Sequence, residues 1–272
     1  MKKQVVVFTC ACVIALAGAA RGGVVPYVLD LPTFQTSGPG VLILDVGHRY
    51  FDVNRHTTNV NIGFSLGLLK KLDVFAGYSF KNKDIVGGGK INLLDDHAAD
   101  GDFISVSLLA GGGYKDTNEI NNSLSLSRFD DTGIEAQTTL DNADRASFFA
   151  QAVIQKHLFD NRLSVGIVPT FAQNTNFYGV TSGDDYSAGG GLFAVVYITD
   201  RVALCGEGVA NITGFGFKYM TYNAGVKYAG YRHTFSLWVG NSAGYSPVEY
   251  MAGSTDTTVK LFFAFTREFD VW

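Results

Sequence analysis

Cysteine is scarce: there are three in 272 residues, and two of them, Cys10 and Cys12, lie in the leader described below. Cys205 then stands alone, which excludes an internal disulfide, so stability must come from hydrogen-bonded structure and packing. Charge is sparse too. Asp, Glu, Lys and Arg make up 17% of the chain, against about 25% in an ordinary soluble domain. The balance of 25 acids to 21 bases offers no clustered positive charge, so no nucleic acid partner is expected. Beyond the leader, no apolar run approaches the roughly 18 residues that mark a membrane helix. The five histidines, His48, His56, His97, His157 and His233, include no H-E-x-x-H pair and no Cys/His spacing suited to a metal, so neither metal nor other cofactor is expected.

Hydrophobic residues nonetheless make up 47% of the chain. They are spread one in two. From Thr58 to Leu68, Val60, Ile62, Phe64, Leu66 and Leu68 alternate with Asn59, Asn61, Gly63, Ser65 and Gly67. Successive strand residues point to opposite faces, so this segment has one oily face and one small, polar face. Repeated around a closed sheet, the pattern is that of a transmembrane β-barrel. The N-terminus supplies a matching address: Lys2 and Lys3, an apolar run from Val5 to Leu16, then Ala17, Gly18, Ala19 and Ala20. These are the parts of a secretory signal peptide, and the run is shorter than the ~20 residues a spanning helix needs.

The expected organisation is a signal peptide over 1–20, an N-terminal linker over 21–40 carrying Pro26, Pro32 and Pro39, and an outer-membrane barrel over 41–272. The fold class is all-β, a single antiparallel up-and-down barrel of about twelve strands: Val41–Tyr50, Thr58–Leu68, Leu72–Phe80, Ile85–Leu94, Asp102–Tyr114, Arg145–Phe159, Leu163–Ala172, Tyr186–Ile198, Arg201–Asn211, Lys218–Ala229, Arg232–Asn241 and Thr257–Val271. Short links at 69–71, 160–162, 199–200 and 230–231 alternate with longer ones at 51–57, 115–144, 173–185 and 242–256. Short periplasmic turns and long external loops would give that asymmetry, with 95–101 and 82–84 as exceptions. Tyr50, Tyr78, Tyr114, Phe171, Tyr186, Tyr222, Tyr228, Tyr231 and Trp272 fall at or near strand ends, where barrels carry aromatic girdles. The glycine runs at 87–89, 111–113 and 189–191 are read as easing barrel curvature.

The polar face would point into the lumen, and its Asp45, Arg49, Asp73, Lys90, Gln151, Gln155, Glu207, Lys227 and Lys260 are the candidate functional residues. Charges lining a pore set solute selectivity; alternatively they pair and fill the lumen, as in small closed barrels. Other motifs are excluded. Gly87–Lys90 lacks the glycine and the Ser or Thr of a phosphate-binding loop, since Asp84 and Ile91 hold those positions. No Ser and His sit two apart on one strand face, which argues against a lipid-cleaving barrel. Asp95, Asp96, Asp100 and Asp102 are read as turn residues more readily than as Ca²⁺ ligands.

Several stretches, taken in order, resemble an uncharacterised family of bacterial outer-membrane β-barrel proteins. They are Gly47-His48-Arg49-Tyr50, Leu72-Asp73-Val74 with Gly77-Tyr78-Ser79, Arg145 leading to Ala150-Gln151, Pro169-Thr170-Phe171 with Asn174, Gly225 with His233-Thr234-Phe235 and Gly240-Asn241-Ser242, and Phe265-Thr266-Arg267-Glu268-Phe269. The chain departs from the pattern at Tyr231-Arg232-His233, where the family shows Gly-Gly-His, and at the apolar Leu261-Phe262-Phe263-Ala264. The resemblance implies fold and location and no catalytic residues. The functional expectation is a non-enzymatic, porin-like passive channel. Its partners would be outer-membrane lipid, the barrel insertion machinery and small solutes. The alternative is a plugged structural or ligand-binding barrel acting through external loops, chiefly 115–144. A soluble periplasmic sandwich is the rival on location.

Overall fold

A computed structural model describes residues 27–52, 57–80, 83–96, 101–115, 145–175, 184–242, 244–254 and 257–272. The expected signal peptide over 1–20 and residues 116–144 of the expected external loop lie outside the described residues. Twelve antiparallel strands close into a barrel: β1 (Val41–Asp52), β2 (Thr57–Leu69), β3 (Leu72–Ser79), β4 (Asp84–Leu94), β5 (Ser105–Lys115), β6 (Ala146–Leu158), β7 (Leu163–Gln173), β8 (Tyr186–Tyr197), β9 (Val202–Gly214), β10 (Thr221–Ala229), β11 (His233–Gly240) and β12 (Lys260–Asp270). Each strand pairs with its sequence neighbours. β12 closes the ring on β1, from Val41 opposite Asp270 to Tyr50 opposite Leu261. All twelve expected segments match strands within a few residues.

Burial is inverted relative to a water-soluble sheet. On β2, Phe64 is 47% exposed while Asn59 is fully buried. Apolar side chains on the outside of a closed sheet, with polar ones inside, describe a body solvated by lipid. Tyr114, Phe171, Tyr186, Tyr222 and Tyr228 are exposed near the rims, as a girdle requires. The rim that holds Val41 and Asp270 carries the links at 70–71, 95–104, 159–162, 198–201 and 230–232, and the opposite rim carries the three longest, 116–145, 174–185 and 241–259, together with the short 53–56, 80–83 and 215–220.

The lumen is filled from both ends. Residues 27–40, expected to be a linker, fold into the barrel as a hairpin. Tyr27 bridges Pro32, and Val28 N donates to Leu31 O at 2.7 Å to close the turn. The partners trace its course. Tyr27 O meets Lys227 on β10, Asp30 reaches Glu207 on β9, and Phe34 lies beside Gln155 on β6. Ser37 then meets Asp73 near the start of β3, and Gly40 N donates to Gly67 O at 2.9 Å. The chain therefore rises from the short-link rim to mid-lumen and returns to enter β1.

From the long-link rim, the connection between β11 and β12 folds inward and carries helix α1 (Pro247–Met251). Its start is locally encoded. Ser246 caps the Glu249 N–H, the Glu249 carboxylate returns to the Ser246 N–H, and Pro247 occupies the first turn, which together form a capping box. Val248, Tyr250 and Met251 are buried against β6–β9. Val28, Leu31 and Phe34 of the hairpin join Tyr250 and Met251 in one apolar cluster with inward wall residues such as Val153, Val168, Phe193 and Val209. Without these two inserts, that wall would face water.

Candidate functional site: the occupied lumen

The inward positions of the strands grip the hairpin mostly by its backbone. Glu207 accepts three consecutive N–H groups, those of Leu29 (3.2 Å), Asp30 (2.8 Å) and Leu31 (3.1 Å), and its Oε1 also accepts from Asn223 Nδ2 at 2.8 Å. Gln155 Oε1 accepts from Phe34 N at 3.1 Å. Asp73 accepts from Ser37 N at 2.8 Å and from Ser37 Oγ at 3.0 Å. Lys90 Nζ donates to Gln35 O and Lys227 Nζ to Tyr27 O. Among the described residues, the charge pair between hairpin and wall side chains joins Arg49 to Asp30, at 2.5 and 3.2 Å from its two Nη atoms, with Asn223 Nδ2 also 2.8 Å from Asp30. A buried backbone amide without an acceptor costs about as much as a lost hydrogen bond, so these wall groups make an irregular segment tolerable inside the barrel.

The sequence candidates are thus brought together around the insert. Arg49, Asp73, Lys90, Gln155, Glu207 and Lys227 hold the hairpin, while Gln151 donates to Tyr250 Oη at 2.6 Å and so holds the helix. Asp45 faces the remaining space. Lys260, the first residue of β12, stands at the rim and does not line the space that Asp45 faces.

Inward glycines serve as sockets. Gly63 and Gly77 stand opposite each other on β2 and β3, and Tyr245 seats its ring over both. A Cβ at Gly77 would lie 2.9 Å from Tyr245 Cε1, and one at Gly63 would meet Tyr245 Oη. A Cβ at Gly191 would lie 2.5 Å from Leu31 Cδ1, and one at Gly67 would collide with the Gly38 carbonyl. At these positions, therefore, the missing side chain makes room for the inserts.

Sequence reasoning missed Asp30, Leu31, Asn223, Tyr245 and Tyr250. Two signals were present. Leu192–Tyr197 on β8 is apolar on both faces, the mark of a strand buried on both sides. Ser246-Pro247-Val248-Glu249 spells a helix start inside an expected loop.

At the short-link rim, Asp96 ties the β4–β5 link to β6. Ser105 Oγ donates to its Oδ1 at 2.5 Å, His157 N to its Oδ2 at 3.0 Å, and His157 Nδ1 lies 2.7 Å from Oδ1. Burial alone would raise the Asp96 carboxyl, but these donors outweigh it and hold its pKa below the ordinary value. The other edge of His157 is taken: Gln155 Nε2 sits 2.9 Å from Nε2 and 2.6 Å from Ser164 Oγ. Asp, His and Ser therefore converge with an amide between the imidazole and the hydroxyl.

A family model described as a membrane bound beta barrel domain (DUF5777), a domain of unknown function, matches residues 26–269. The chain belongs to that family. The barrel accordingly resides in the bacterial outer membrane, with the short links at the periplasmic rim. The match also includes the whole hairpin, residues 27–40. No curated protein matches the chain. Similar solved structures include the NanC porin, at 9% identity over 83% of this chain and 97% of that one with a TM-score of 0.49. Others are the outer membrane phospholipase A from Escherichia coli (9%, 85% and 93%, 0.43) and Omp33 from Acinetobacter baumannii (8%, 86% and 100%, 0.47). At these scores the likenesses carry no argument about activity.

Proposed function

We propose that this protein is a plugged outer-membrane barrel, closed at rest by its own N-terminal hairpin and inserted helix, which works by binding in its interior rather than by passive conduction. The observation that carries the reading is Glu207, whose carboxylate gathers three successive hairpin amides at mid-lumen. An open porin has no use for such a clasp. Porin-like passage of small solutes is the second reading. It is favoured by the charged cleft between hairpin and wall, and it requires the hairpin to swing back toward the periplasm. Catalysis has little support, since Gln155 separates His157 from Ser164.

Planar-bilayer recording separates the two readings. The purified full chain is expected to be silent, whereas a chain shortened to begin at Val41 is expected to show stepwise conductance. Long-lived open steps from the full chain would overturn the plugged reading.

A further inference from the structure

The two inserts lean against β6–β9 and leave a cavity of about 90 Å³ on the opposite side of the lumen, with Asp45, Arg49, Asn61, Lys227, Trp238 and Tyr245 among its lining residues. At about 10–15 Å³ of such volume per water, it has room for a molecule of a few heavy atoms. A smaller cavity of about 30 Å³, bordered by Asp200 and Arg201 at the periplasmic turn, shares Tyr27, Lys227 and Thr234 with it, so a periplasmic approach passes Tyr27.

The polar groups of this cavity are incompletely matched. Two acids, Asp30 and Asp45, face two bases, Arg49 and Lys227. Arg49 is committed to Asp30 and Lys227 to Tyr27 O, so neither base hydrogen-bonds Asp45. Among the described residues no hydrogen bond reaches the Asp45 carboxylate. Asp45 lies opposite Gly63 on β2 and Thr266 on β12. Asn61, two residues along β2 on the same inner face, is 3% exposed, and its Oδ1 has no partner. The Arg49 Nε, also on this face, is an unpartnered donor. An unmatched carboxylate beside an unmatched carbonyl oxygen asks for a donor-rich cation, and the rings of Tyr245 and Trp238 suit the carbon atoms of an alkylammonium.

We propose that the cavity is a binding site for a small organic ammonium compound, with Asp45 as its counter-ion, Asn61 Oδ1 as a second acceptor, and Arg49 Nε available to a hydroxyl on the same ligand. The site rests on the plugged reading, because the hairpin and the inserted loop form two of its walls.

Trp238 and Trp272 are the two tryptophans of the chain, so a Trp272→Phe variant leaves one indole, in the cavity wall, as reporter. Ethanolamine titrated into this full-length protein in detergent should change Trp238 fluorescence saturably at millimolar concentrations and raise the heat-unfolding midpoint. Propanol and acetate should do neither. Asp45→Asn should weaken the response at least about tenfold, as loss of a shielded charge partner does, while Asp160→Asn at a periplasmic turn should not. No saturable change, an equal response to propanol, or undiminished binding by folded Asp45→Asn would overturn the site. Conductance of the same preparation keeps the two ideas apart: a conducting barrel that binds ethanolamine sinks the plug and not the counter-ion, and a silent one that ignores it sinks only the site.

Discussion

Replacing Glu207 by Leu should release the hairpin and leave the barrel intact. The three amides it collects lie within 2.8–3.2 Å of its oxygens, and charge-assisted bonds of this kind contribute about 1.5–3 kcal/mol each. They share one carboxylate, and the freed amides regain water, so the low end of that range applies. The loss is about 4 kcal/mol, or close to three decades in the opening equilibrium at about 1.4 kcal/mol per tenfold. The wall itself should not suffer, because an apolar side chain there avoids the cost of desolvating a carboxylate. Amide hydrogen exchange read by mass spectrometry is the direct assay. Peptides covering Leu29–Leu31 should exchange several hundredfold faster in the variant, with β6 to β9 unchanged. Unaltered exchange at those amides would refute the clasp. Uniform loss of protection around the barrel would show instead that Glu207 supports the wall.

Two further outcomes follow from named contacts. Gly191→Val should crowd Leu31, whose methyl group lies 2.5 Å from where a Cβ would stand, and cost about 1–3 kcal/mol. The double variant with Leu31→Ala should recover most of that in the heat-unfolding midpoint, and failure to recover would disprove the socket. For Asp96, whose folded pKa is depressed, the stabilisation is fully present above the unfolded value of about 3.9 and is lost as pH falls through the folded one. Acid titration of unfolding below about pH 4 should therefore show a loss in the wild type that is absent in Asp96→Asn, which should already be less stable at neutral pH.

Lipid outside a barrel imposes a rule that each strand obeys locally: apolar residues at every second position, backbone groups paired to neighbours, and no free edge. That rule is written in stretches such as Val60-Asn61-Ile62-Gly63-Phe64, which is why closure, strand number and the direction each side chain faces were legible without a structure. Even Glu207 and Lys227 could be assigned to the inside. What they touch there was not legible, because Leu31 and Glu207 are separated by 176 positions and no periodicity links them. An inward carboxylate reads the same whether it borders water or receives three amides. Only the folded chain decides that, by where it spends its proline-bearing N-terminal segment and whether Gly63, Gly77 and Gly191 leave room for what comes in.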